Sequence, residues 1–375
     1  MRFFDLDIQQ LGERDLAAWR RFAAPGGRLI SPYLTPDFAK VIASARDDVR
    51  VAVAEDADGP AAFFAYHAGP IARPVGAPMS DYQGIVCREG TQVSASDLLN
   101  TTQAGAMVYE NWATTPAPGR IRSAAGSCVL DLSAGSQDYF KRRRGLYRNH
   151  FKKMDQRARK GEREFGTMRV EFGDPLGAHF ETLKAWKSAQ YRATGLLDLF
   201  SIGWVNQVLN TFAAKRFGPF RGLTCALYFG DRLAAVEFGL VAGGAYHSWF
   251  PAYDRQFASA SPGLQLIHAI AEAAPRLGID RIDLGKSEAD YKKYYADYEV
   301  PLSQGRVVTG SLAGARIAGW ELAEAVTRHL PGPASQIPAR LRRRWAQTSA
   351  FEPRRARRLA LMGAAVGARF GSSRD

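Results

Sequence analysis

Between Ala235 and Tyr298 the spacing of apolar residues changes period several times, and the chain is organised around this stretch. An apolar run ends at Gly243-Gly244, and a second run from Ala245 to Phe250 follows it. Paired glycines accept the positive φ of a tight turn, so the pattern predicts a hairpin. A two-residue turn at 243 and 244 pairs Leu240 with His247 and Glu237 with Phe250, which sends Glu237 and His247 to opposite faces. Ser261-Pro262-Gly263 then opens a predicted helix, with Ser261 as N-cap, Pro262 in the first turn, and Leu264, Ile267, Ile270 and Ala271 at helical spacing up to Gly278. Arg281 to Gly285 reads as a short buried strand. Ala289 to Tyr298 reads as a helix carrying Tyr291, Tyr294, Tyr295 and Tyr298 on one face.

Elsewhere the same reading predicts helices over 13–22, 36–45, 97–103, 179–192 and 202–215. It predicts strands over 49–55, 61–67, 106–112, 128–132, 223–229 and 232–241. Strands joined by hairpins and followed by helix, strand and helix indicate an α/β (α+β) fold with a mixed, mainly antiparallel sheet. Residues 74–84 are rich in glycine and proline and predict a loop over a cleft, with Asp81 and Tyr82 as side chains able to touch a substrate.

Charge adds two basic patches. The formal net charge of the 375 residues is +13: 141–164 carry a net of +8 and 340–358 a net of +7, leaving the remainder at about −2. The first patch reads as one amphipathic helix over 138–164, with Tyr147, Phe151, Met154 and Ala158 as its apolar stripe. No exposed aromatic residues are expected between its cations, which argues against binding to single-stranded nucleic acid. The second patch contains Arg342, Arg343, Arg344, Trp345, Arg354, Arg355, Arg357 and Arg358, beside an apolar run. Guanidinium groups next to aromatic and aliphatic residues suit a phosphate-bearing ligand such as a cyclic dinucleotide, or an anionic membrane surface. No apolar run is long enough to span a bilayer and no secretory signal opens the chain. Three scattered cysteines fit a reducing compartment and no metal site. The expected location is the cytoplasm, with the tail able to touch the inner face of the membrane.

A helix N-terminus directly after a core strand offers free amides and a positive dipole end, a setting for phosphate. The second half resembles the GNAT acyltransferase superfamily, and within it the tandem-domain branch holding FemAB-like transferases and CelD-type acetyltransferases of bacterial polysaccharide synthesis. The residues that carry the resemblance are Tyr246-His247, Ala252-Tyr253-Asp254, Ser261-Pro262-Gly263, Asp283-Leu284-Gly285 and Tyr291-Lys292. It implies two tandem GNAT-like domains, a degenerate one over 1–130 and an acyltransferase domain over 131–310, followed by a basic tail over 311–375.

By the same resemblance, acetyl-CoA is the donor and a sugar or sugar-nucleotide is the acceptor. The donor's phosphates would meet Arg255, Ser261, Pro262, Gly263, Leu264 and Lys292. Acyl transfer needs a base for the acceptor and an acid for the leaving thiolate. His247 is the first candidate base and Glu237 the second, while the resemblance makes Tyr291 the acid. Two other readings are open: a FemAB-like transferase using aminoacyl-tRNA, and a non-catalytic protein that binds an anionic ligand through its arginine-rich tail.

Overall fold

The computed structural model describes residues 1–23, 31–114, 117–174, 177–286, 289–309, 312–327, 345 and 348–352. The first half comprises β1 (Arg2–Asp7), α1 (Glu13–Ala23), α2 (Pro36–Ala43), β2 (Val49–Asp56), β3 (Gly59–His67), β4 (Ile71–Pro74), β5 (Val86–Cys87), α3 (Ala95–Thr101) and β6 (Ala106–Trp112). The connecting strand β7 (Arg120–Asp131) leads to α4 (Ser136–Leu146), α5 (Arg148–Phe165), β8 (Met168–Phe172), α6 (Ala178–Ala193), α7 (Gly203–Ala214) and β9 (Arg216–Phe217). There follow β10 (Phe220–Phe229), β11 (Arg232–Ala242), β12 (Ala245–Tyr253), α8 (Pro262–Leu277), β13 (Arg281–Lys286), α9 (Lys292–Tyr295), β14 (Tyr298–Val308) and α10 (Leu312–Thr327).

One mixed, mainly antiparallel sheet runs through both halves in the order β1-β2-β3-β4-β6-β14-β7-β13-β12-β11-β10-β8, with β5 on β3 and β9 on β10. The strand that joins the halves is β14, which pairs with β6 on one side and β7 on the other. The halves also share a core, since Phe38 of α2 stacks on Phe212 of α7 with ring centroids 5.5 Å apart. On the opposite face, α8 and the basic helices α4 and α5 cover a second core that includes Tyr246, Phe257, Leu266 and Ile270.

The hairpin forms as predicted, with Gly243 and Gly244 at φ 54° and 83°. Its register changes part-way. His247 pairs with Leu240, but a bulge between Phe238 and Gly239 sets Phe250 opposite Phe238 and Pro251 opposite Glu237, in place of the expected Glu237–Phe250 pair. Gly239 is required there. A Cβ on it would lie 2.3 Å from the His247 carbonyl oxygen and 2.4 Å from the Tyr246 ring. Gly239→Ala is therefore expected to cost about 1–3 kcal/mol in urea unfolding, because neither the backbone oxygen nor a buried ring has space to retreat.

Three other expectations are corrected. The basic helix is two helices, broken at Tyr147 (φ −130°, ψ 47°), whose ring packs edge-on against Tyr294. The four-tyrosine helix is a single turn, Lys292–Tyr295, because Val300 and Pro301 belong to β14 and draw Tyr298 into the sheet. Ser261 does not cap α8 with its hydroxyl. It adopts a left-handed conformation (φ 54°), and its Oγ accepts a 2.7 Å hydrogen bond from Arg157 Nη1.

Candidate functional site

The parallel strands β12 and β13 hold together only where Ala245–His247 faces Arg281–Asp283. Beyond that point β12 continues to Tyr253 on β11 alone, while β13 turns to β7 through Lys286 and Ser127. The sheet therefore splits just past His247 and Asp283, and the edge of β12 from Ser248 to Tyr253 borders the gap. At about 3.3 Å per residue that edge runs about 20 Å. Its far end meets α8, since Tyr253 Cδ1 is the nearest atom, at 3.9 Å, to a Cβ built on Gly263.

At the closed end of the gap His247 is only 1% exposed. Its Nε2 is 2.8 Å from Asp81 Oδ2, and its Nδ1 lies 3.7 Å from Asp283 Oδ1. Burial alone would lower the histidine pKa. The charge of Asp283 and the hydrogen bond to Asp81 outweigh it and raise the value above the usual 6.5. Asp283 in turn accepts hydrogen bonds from Ser127 Oγ (2.6 Å), the Gly285 amide (2.7 Å) and the Tyr82 hydroxyl. The loop carrying Asp81 and Tyr82 is fastened across this end of the gap by a 3.0 Å bond from Trp249 Nε1 to the Met79 carbonyl. Tyr33 closes the pocket with its ring edge-on to His247 at 4.8 Å. Its buried hydroxyl finds no partner among the described residues.

A raised histidine pKa has a definite sign in stability. The contribution of the imidazolium is complete below about 6.5 and is lost as pH rises through the higher folded value. As pH rises above about 6.5, wild-type protein should lose urea resistance relative to His247→Gln. Parallel stability curves for the two proteins would show that no such ionisation is coupled to folding.

Glu237 lies on the other face, as the pattern of the hairpin predicts. It is buried and accepts a 2.9 Å hydrogen bond from the Tyr246 hydroxyl. Burial raises its pKa against the opposing pull of the Tyr246 and Ser248 bonds. Tyr291 is half-buried on the same side. Burial, then the charge of Glu237, pushes its phenol up to about 12, so it keeps its proton at neutral pH.

Lys292 differs from expectation. It is buried, and its Nζ donates to the carbonyls of Leu284 (2.5 Å) and Gly285 (2.8 Å), so it ties down β13 and does not face phosphates. At the α8 N-terminus Pro262 is buried, and the amides of Leu264 and Gln265 both turn to the Ser261 carbonyl. What this end offers an anion is the open face of Gly263 with the guanidinium groups of Arg157 and the exposed Arg255. Arg342, Arg343, Arg344, Arg354, Arg355, Arg357 and Arg358 lie outside the described residues. Trp345 is described and lines a separate cavity.

Sequence reading singled out Asp81, Tyr82, His247, Glu237 and Tyr291, but gave no role to Tyr33, Ser127, Arg157 or Asp283. Asp283 carried a usable signal as a carboxylate inside a predicted buried strand, where such a group needs a partner or a role. Tyr33, Ser127 and Arg157 carried none.

Residues 148–293 match the family model of the acetyltransferase (GNAT) domain. The match spans 146 of the 375 residues, under half of the chain. No curated protein matches the chain. Among solved structures, FemX is similar at 9% identity with a TM-score of 0.52, covering 85% of this chain and 99% of that one. A tandem GNAT protein from the clavulanic acid biosynthesis pathway is similar at 9% identity with a TM-score of 0.44, covering 83% and 99%. At such identity the likeness to FemX concerns the fold. The split between β12 and β13 and the N-terminus of α8 fall inside the matched residues, as do His247, Glu237 and Tyr291. Asp81, Tyr82 and Tyr33 come from outside them. Among the described residues no helix is long and apolar enough to cross a membrane, and no group of three or more His, Cys, Asp and Glu side chains is arranged to hold a metal ion.

Proposed function

We propose that the chain is an acyltransferase that takes its acyl group from acetyl-CoA and places it on an amine or hydroxyl of a sugar or sugar-nucleotide, in the synthesis of an exopolysaccharide. The observation that carries the donor is the β12 edge, which leads from His247 to the open, cationic end of α8. A donor with a long linker between its charged and reactive ends matches an edge of about 20 Å. Arg157, Arg255 and Gly263 would hold the phosphates, and the edge from Ser248 to Tyr253 would take the linker amides. Acetyl-CoA, when bound, supplies an acyl group activated as a thioester. The sugar acceptor rests on the resemblance of the motifs to the CelD-type branch.

The chain's own residues supply the proton chemistry. Both ring nitrogens of His247 face carboxylates, and Asp81 is the more exposed member of the pair, with about a third of its side chain open to solvent (31%). The Asp81–His247 pair therefore takes the acceptor's proton as one coupled unit. Tyr291 keeps the proton that the departing sulfur needs. Tyr33 and Tyr82 close the site and fix the orientation of His247 and Asp283.

A second reading, aminoacyl transfer from charged tRNA, draws on the exposed basic face of α5 and the fold shared with FemX. Calorimetry with acetyl-CoA, paired with a thiol-release assay over a panel of amino sugars and sugar-nucleotides, tests the first reading. Saturable binding and acceptor-dependent thiol release are expected. RNA binding with a steep salt dependence and no acetyl-CoA binding would favour the second. Location in the cytoplasm at the inner membrane face is part of the proposal, supported by exposed Leu312, Leu322 and Val326 on α10 next to the basic C-terminal sequence.

A further inference from the structure

The first half of the sheet and α10 enclose a cavity of about 160 Å³ on a part of the molecule distinct from the acyl-transfer site. Four guanidinium side chains line it, from Arg73 on β4, Arg122 on β7, Arg306 on β14 and Arg316 on α10, together with Trp320 and Trp345. A second cavity of about 250 Å³ adjoins it, with Arg73, Arg316 and Trp345 in the wall common to both. Among the described residues, the carboxylates Glu110 and Glu321 line the first chamber and Asp48 lines the second. Glu321 is already engaged, 2.6 Å from Arg306 Nη2 and 3.5 Å from Arg120. Arg306 Nη1 is buried and has no hydrogen-bond partner among the described residues.

An unmet guanidinium N–H inside a protein is destabilising, and an anionic ligand that accepts from it removes that cost. Guanidinium forks bind phosphate bidentately, and tryptophan faces stack on planar rings. A chamber lined by several guanidinium groups and two indoles, with a second chamber behind a shared wall, fits a molecule carrying both features. We propose that these cavities form a binding site for a purine nucleoside monophosphate, its phosphate met by Arg306 and Arg316 and its ring set against Trp320 and Trp345. The site is independent of the acyl-transfer reading: its lining includes Ala77 and Pro78 of the loop that carries Asp81, but none of the residues assigned to the donor or to proton transfer.

The test is calorimetry and tryptophan fluorescence on the full chain with guanosine 5′-monophosphate, guanosine and inorganic phosphate. The nucleotide should bind saturably and quench fluorescence, with guanosine and phosphate each at least about tenfold weaker. Arg316→Ala and Trp320→Ala change exposed side chains and should melt like wild type while each weakening the nucleotide by about tenfold or more. Gly263→Glu should leave this binding unchanged. Nucleotide binding no tighter than that of phosphate, or insensitive to both cavity substitutions, would overturn the proposal. Loss of nucleotide binding in Gly263→Glu alone would also overturn it, by placing the ligand at the donor track.

Discussion

Replacing Asp81 with asparagine is expected to lower kcat for acetyl transfer by about 10²–10⁴-fold, the usual share of a general acid–base group. Asparagine keeps the size of the side chain and a hydrogen bond to His247 but removes the carboxylate that completes the base. Acetyl-CoA affinity should stay within about twofold of wild type, because nothing at the α8 end of the track has changed. His247→Gln should lose a similar factor. The double variant should lose little more than either single one, since the two side chains act as one unit. Steady-state kinetics with calorimetry on each variant checks this. Additive losses would mean that Asp81 and His247 work separately.

The second large effect concerns the donor. Gly263→Glu should weaken acetyl-CoA binding by about 100-fold or more, because a carboxylate would stand where the phosphates are to be held and like charges repel there. The substitution itself is well tolerated by the fold. The space beside Gly263 is open, and a glutamate in the first turn suits the dipole of α8, so the melting temperature should hold or rise. Affinity falling while stability holds separates loss of a binding surface from loss of structure. Arg157→Gln should give a smaller loss of the same kind, since it removes the guanidinium at Ser261 Oγ.

The elements that could be read from the sequence are those whose signals are local. The β11–β12 hairpin follows from Gly243-Gly244, and α8 from the spacing of Leu264, Ile267, Ile270 and Ala271 between Pro262 and Gly278. The same reasoning put Glu237 and His247 on opposite faces, and the Tyr246–Glu237 bond fits that placement. Local signals also misled. The spacing of Tyr291, Tyr294, Tyr295 and Tyr298 imitates a helical stripe, yet the pairing of β14 with β6 and β7 outweighs it, because a strand between two others satisfies both of its edges. Ser261 looks like a cap, but Arg157, 104 residues earlier, takes its hydroxyl.

The site itself is mostly non-local. His247 meets Asp81 across 166 residues, and Asp283 meets Ser127 across 156. No spacing rule carries such pairs. What could be recognised was each residue by itself, as a polar loop side chain or a charge in an apolar strand, and not the contacts that unite them.

Amide hydrogen exchange on the full chain, with and without acetyl-CoA, tests the central claim most directly. The β12 edge from Ser248 to Tyr253 and the first turn of α8 at Gly263 should exchange more slowly with the donor present, and residues lining the Arg–Trp cavity should not change. Slowing confined to that cavity, or no slowing along β12 at saturating acetyl-CoA, would contradict the placement of the donor between His247 and α8.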